Sequence, residues 1–169
     1  MKQEKVLQRL ISFPYLLCFL LFLFPVLTVS CSEKTVLEPT AYQLASGIDM
    51  AGVQTEDRLL ETWIENMGAA LNFEEVQIKV FYLIFASILL AAVCAFFFPF
   101  GSLIFGLSAF IGLWYFIYQT SSYFVRIGFP MISVKAGLGA YAVSMMLLVG
   151  MATSLAAVIR QQRNSKKQA

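Results

Sequence analysis

The side chains able to do chemistry in this 169-residue chain are three cysteines and a set of clustered carboxylates, and there is no histidine. The group that most often moves protons near neutral pH, which is also the commonest metal ligand, is therefore missing, and a Ser/His/Asp set is excluded. Cys18, Cys31 and Cys94 are too scattered for a CxxC pair or a zinc-ligand spacing. Adjacent carboxylates occur at Glu56 with Asp57 and at Glu74 with Glu75, where they read as solvated helix ends rather than an acid/base pair. No Gly-rich phosphate loop, HExxH or GxSxG occurs. The expectation is a protein that is not an enzyme and holds no cofactor or metal.

The elements that must carry these residues are set by hydropathy. Hydrophobic residues make up 59% and charged residues 13% of the chain, against roughly 25% charged in an average soluble domain, and the mean hydropathy is +0.75. Val80 to Tyr118 contains no charge and is broken once, at Phe98-Pro99-Phe100-Gly101-Ser102. About 20 apolar residues at roughly 1.5 Å rise cross a hydrocarbon core of roughly 30 Å, so the run reads as a hairpin of two membrane helices, residues 80–98 and 102–118. Pro99 cannot continue the first helix, and Gly101 with Ser102 permits the reversal. A first span is expected over 10–29, with Pro14 in its first turn and Pro25 kinking its last. A signal peptide has the same basic-then-apolar order, but its apolar core is usually only about 7–15 residues. A final span is expected over 136–159.

Charge sets the orientation. Residues 1–12 carry Lys2, Lys5 and Arg9, and the tail 160–169 carries Arg160, Arg163, Lys166 and Lys167, whereas Cys31 to Lys79 holds nine acidic residues against three basic ones. Basic residues are retained in the cytoplasm. Both termini are thus expected inside a bacterial inner membrane, with 31–78 forming an extracytoplasmic acidic domain and 119–135 a second outer loop. Lys2 and Lys166 should be cytoplasmic, and Glu56 and Arg126 outside. The basic tail would attract anionic lipid, and nothing in it suggests nucleic-acid binding. Trp114, Tyr115, Tyr118 and Tyr123 gather where a helix meets the headgroups.

Within the acidic domain, Pro39 to Ser46 reads as a short helix with proline first and Gly47 past its end. A longer helix over Glu56 to Leu71 is amphipathic. Its apolar face either packs on the bundle or docks a partner protein, in which case Leu60, Trp63, Ile64 and Met67 form the contact, with Trp63 as anchor. Its polar face carries Glu61 and Glu65 rather than the Lys and Arg of most lipid-surface helices. Small residues that let helices approach in lipid are Ser102, Gly106, Ser108 and Gly112 in one span and Gly137, Ala140 and Ser144 in the last; intramolecular packing is favoured over dimerisation.

Two resemblances add to this reading. Leu27-Thr28-Val29-Ser30-Cys31 resembles a bacterial lipobox, with Thr28 where leucine is usual, so Cys31 is either a lipidated new N-terminus or an unmodified boundary cysteine behind a retained first helix. The segments Pro25-Val26-Leu27-Thr28-Val29-Ser30-Cys31 and Thr40-Ala41-Tyr42-Gln43-Leu44-Ala45-Ser46-Gly47 together resemble a group of small bacterial four-helix membrane proteins in which a Pro-x-x-x-Val-Ser-Cys end to the first helix precedes a Gly-x-x-Leu-Ala-x-Gly element. Ala41 replaces the first of those glycines. The resemblance implies an inner-membrane protein and no particular activity. The expected architecture is an all-α integral membrane four-helix bundle with a small, mostly helical extracytoplasmic domain between the first two spans. The expected role is an accessory or structural subunit whose partners are membrane lipids and a membrane protein. The alternative is a small-molecule or lipid-binding sensor or transporter with a site between bundle and outer loop.

Overall fold

The computed structural model describes residues 2–31, 34–46, 73–126 and 132–168. In chain order the elements are α1 (Lys2–Leu21), β1 (Leu27–Cys31), β2 (Lys34–Leu37), α2 (Ala41–Ser46), α3 (Phe73–Phe97), α4 (Pro99–Arg126), β3 (Ile132–Ala136) and α5 (Leu138–Gln168). The chain is mostly helical, and three helices are long and apolar enough to span a membrane: Val80–Phe97 in α3, Pro99–Ser122 in α4 and Leu138–Arg163 in α5. The shortest of these, 18 residues, covers about 27 Å at ~1.5 Å per residue. The last two extend beyond the expected limits of 102–118 and 136–159, because the helix backbone continues through the polar residues that flank the apolar core. Part of the expected loop 119–135 and the tail from Arg160 are therefore helical.

The hairpin reversal is tighter than expected. Only Phe98 separates α3 from α4, and Pro99 opens α4, where its missing N–H is not needed. The Phe98 N–H donates to the Cys94 carbonyl at 2.6 Å, and its carbonyl accepts from the Ser102 N–H at 3.2 Å. Gly101 and Ser102 thus belong to the first turn of α4 rather than to a loop.

The first apolar run departs most from expectation. It leaves the helix at Leu21, so its apolar helical part, Ile11–Leu21, is 11 residues long. Pro14 lies inside α1 rather than in its first turn, because the helix already begins at Lys2. Pro25 follows the helix instead of kinking it: the residue before a proline is pushed out of the α region, and the chain tightens through i→i−3 bonds from the Leu23 N–H to Leu20 and the Phe24 N–H to Leu21, each 3.1 Å. Leu27–Cys31 then becomes the central strand of a three-stranded antiparallel sheet in the order β2-β1-β3.

Sheet register follows the alternation of side chains. Leu27 faces Ala136 and Val29 faces Val134 in register, with Leu27 and Val134 buried, while Thr28 pairs with Lys135 and Ser30 with Ser133. Between β1 and β2 a bulge falls at Val29/Ser30. The short helix α2 starts at Ala41, not at Pro39, because Thr40 caps it: the Gln43 N–H donates to Thr40 Oγ1 at 3.2 Å and the Thr40 N–H donates to Gln43 Oε1 at 2.9 Å. This reciprocal capping box satisfies two otherwise orphan donors.

Helix α1 packs on α3 and α5, and α4 packs on the same two helices. The buried residues of α3, Phe81, Ile84, Ile88, Ala91, Ala92 and Ala95, recur at helical spacing. The opposite faces stay apolar as well: Leu83 is 67%, Phe97 76% and Met145 65% exposed. A fold apolar both inside and outside matches a lipid surround and not water. Chain direction puts the sheet and α2 at one end of the helices, with the α3–α4 tip and the C-terminal end of α5 at the other.

Candidate functional site

The described side chains come together in three places. At the sheet end, the turn 22–26 would leave backbone groups unpaired in an apolar setting, where each is costly. Neighbouring elements supply the partners. The Ala41 N–H donates to the Phe22 carbonyl, the Val26 N–H to the Pro39 carbonyl, and the Gly137 and Gly139 N–H groups to the Val26 and Pro25 carbonyls at 2.8 and 2.7 Å. The first turn of α5, whose donors have no intrahelical acceptor, is thereby used to satisfy the turn. Glycine is required there for close approach, since a Cβ at Gly139 would stand 2.6 Å from the Phe24 carbonyl oxygen and one at Gly137 would collide with that of Pro25.

The same end carries the polar aromatics. Tyr42, Tyr82, Tyr115, Tyr118 and Tyr141 are all exposed there, as in a headgroup belt. Trp114 is half-buried; its Nε1–H donates to Ser144 Oγ at 3.0 Å and its ring meets Tyr141 edge-on at 5.9 Å. The Tyr42 hydroxyl donates to the Phe19 carbonyl at 2.8 Å, and its ring stacks on Phe85 at 5.4 Å.

Nearer the hairpin tip lies a buried hydroxyl cluster. Tyr15 from α1 is fully buried, its ring held between Gly106 of α4 and Gly150 of α5. Its hydroxyl is 3.4 Å from both the Ser102 carbonyl and Ser154 Oγ, Ser102 Oγ and Ser154 Oγ are 3.1 Å apart, and Ser154 Oγ donates to the Gly150 carbonyl at 2.8 Å. Ser12 Oγ donates to the Ala92 carbonyl at 2.9 Å. These hydroxyls and carbonyls link helices by hydrogen bonds.

Of the residues expected to pack helices, Ser102, Gly106, Gly137, Ala140 and Ser144 are buried, and Gly112 is half-buried with room for a Cβ only 3.3 Å from Ile84 Cγ1. Ser108 is not at a contact. It is exposed, because the buried stripe of α4 runs Ser102, Gly106, Ala109, Leu113, Phe116, and Ser108 lies one helical step off it. Gly139, Gly150 and Ser154, which belong to the small-residue run that marks the last span as closely packed, are buried as well; the residue that the sequence does not single out is Tyr15, which packs on Gly150. A small-residue pattern marks α4 and α5 as close-packing helices, but no local signal says which side chain of α1 they accommodate. The proposed partner contact, Leu60, Trp63, Ile64 and Met67, lies outside the described residues. Cys31 ends the central strand, with backbone partners Lys34 and Ile132.

At the opposite end from the sheet, a groove of about 440 Å³ runs between Phe97, Phe98 and Phe100 of the hairpin tip and Val158, Gln161 and Gln162 of α5. Among the described residues, no three His, Cys, Asp or Glu side chains converge as metal ligands would. No protein-family model matches the chain, and neither a curated protein nor a solved structure is similar to it.

Proposed function

We propose that this chain is a non-catalytic integral membrane protein of the bacterial cytoplasmic membrane, an accessory or structural subunit that presents its acidic segment outside to a membrane-protein partner. The observation that carries the reading is the combination of outward apolar faces on α3, α4 and α5 with the absence of any Asp, Glu, Lys, Arg or His in Val80–Phe97, Pro99–Ser122 and the apolar part of α5 up to Ile159. Pumps and proton relays place such residues within their spans; a scaffold has no need of them. In this reading α1 is the fourth member of the bundle, both termini are cytoplasmic as the basic flanks favour, and the sheet and 47–72 face outward. Leu60, Trp63, Ile64 and Met67 remain the proposed docking face.

The first helix is retained in this proposal. Cleavage before Cys31 would remove α1, with Tyr15 and its contacts, and four of the five residues of the central strand. Purification in mild detergent followed by intact-mass analysis tests both points. The expected result is a full-length 18.9 kDa chain with one protein partner in fixed stoichiometry. A lone chain in native lipid would contradict the subunit role, and a lone chain carrying a bound small molecule would favour the sensor or transporter alternative. A chain beginning at Cys31 and bearing acyl groups would contradict retention.

A further inference from the structure

We infer that the lipid-facing seam between α3 and α4 is the contact for a second copy of this chain, in a dimer whose two-fold axis runs along the membrane normal. The inference goes beyond the subunit role and does not depend on it; it rests only on the chain being in a membrane. Two side chains carry it, Ser87 of α3 and Ser108 of α4. Ser87 is half-buried and Ser108 is exposed, and among the described residues neither hydroxyl has a hydrogen-bond partner. Every other Ser or Thr between the tyrosine belt and the hairpin tip, namely Ser12, Ser102, Ser144, Thr153 and Ser154, is hydrogen-bonded. A hydroxyl left without a partner in hydrocarbon is costly.

The placement of the two serines selects what completes them. A Cβ at Gly101 would stand 3.4 Å from Cys94, so these residues face each other across the seam. Ser87 lies seven residues before Cys94 and Ser108 seven residues after Gly101, two helical turns in each case, so both border the same seam. They are also equally deep. Ile84 meets Gly112, and Phe81 meets Phe116 at 4.7 Å, so residues equally far from the tip lie level, and Ser87 and Ser108 are each about 15–17 Å from Phe98 at ~1.5 Å per residue. A two-fold axis along the membrane normal preserves depth. It therefore brings Ser87 of each copy to Ser108 of the other, and because a hydroxyl both donates and accepts, both pairs close at once. The small residues Ser87, Gly101 and Ser108 let the backbones approach. An acyl chain offers no hydrogen bond, and an unrelated helix would need its own polar group at this one depth.

The test counts copies of the full chain by single-molecule bleaching in liposomes, with cysteine cross-linking in a Cys31→Ser, Cys94→Ala background. The parent should be dimeric. Oxidising a mixture of Ser87→Cys and Ser108→Cys chains should join one to the other, whereas Leu148→Cys, at an exposed position of α5, should give no cross-link. Ser108→Leu fills the seam and should leave a monomer whose melting temperature in detergent is unchanged, since the position is exposed. Ser108→Ala, the second variant, keeps the size and should weaken dimerisation by roughly eightfold, the loss of two interhelical hydrogen bonds of average strength in a membrane. Monomers even at high protein density, a dimer unaffected by Ser108→Leu, or a cross-link from Ser108→Cys in cells to a different protein in place of a second copy would overturn the inference.

Discussion

Replacing Gly139 with valine should be among the most damaging single changes in the protein, lowering its stability by about 2–5 kcal/mol through loss of one or two buried hydrogen bonds at roughly 1–3 kcal/mol each. The obstacle is backbone, not a side chain that could turn aside. The nearest atoms to a new Cβ are the carbonyl oxygens of Phe24 and Pro25, at 2.6 and 2.8 Å. To make room, the α1–β1 turn must withdraw from the start of α5, which breaks the Gly139-to-Pro25 hydrogen bond and strains the Gly137-to-Val26 bond beside it. Because Leu27 is paired with Ala136 immediately afterwards, the disturbance passes into the sheet. Gly101→Ala is the control. There a Cβ meets Cys94 at 3.4 Å, a contact that requires little movement, and the expected change is no loss or a gain of up to about 1 kcal/mol, the ordinary helix preference for alanine over glycine. Unfolding in mixed micelles of increasing denaturing detergent measures both, and a Gly139→Val protein as stable as its parent would refute the account of the turn.

The second large effect concerns Tyr15. Gly150→Ala puts a methyl group 2.7 Å from the ring carbon that bears the hydroxyl, and the ring has little room to retreat towards Gly106, where an added Cβ would stand only 3.0 and 3.1 Å from the hydroxyl and Cε1. Overpacking of this kind costs about 1–3 kcal/mol. Tyr15→Ala should cost about 3–5 kcal/mol, as for other aromatic truncations in packed cores. Tyr15→Phe should cost less than about 1 kcal/mol, because the hydroxyl contacts are long at 3.4 Å and interhelical hydrogen bonds in membranes average about 0.6 kcal/mol. The distinguishing result is coupling: in a Tyr15→Ala background Gly150→Ala should be nearly neutral, an interaction energy of about 1–3 kcal/mol between residues that touch. Strictly additive losses would mean that ring and glycine do not meet.

These two sites also show where sequence reading succeeds and fails. Val80–Phe97, Pro99–Ser122 and Leu138–Arg163 are legible because length and hydropathy are local properties, and Pro99 marks the reversal for a local reason. The strand at Leu27–Cys31 is not legible, since it continues an apolar run that helix and strand fit equally well. What decides it is Phe24-Pro25 together with a partner strand about a hundred residues further on. Ile132–Ala136 does alternate apolar with polar, yet a five-residue alternation between two helices is weak evidence alone. The hydroxyl cluster is harder still, because Tyr15 sits in a segment where any large apolar residue would satisfy the pattern. Only the three-dimensional meeting of α1, α4 and α5 identifies Gly106 and Gly150 as its cradle.

The central claim is that the sheet and the hairpin tip lie on opposite faces of a membrane, with the tip and the basic tail inside. Cysteine labelling by a membrane-impermeant maleimide in intact cells tests it most directly, in a Cys31→Ser background, since Cys18 is buried and Cys94 is half-buried within the helices. Lys135→Cys, at an exposed position of β3, should react in intact cells, and Gln162→Cys should react only after permeabilisation. Labelling of Gln162→Cys in intact cells, or of both positions from one face, would contradict the account.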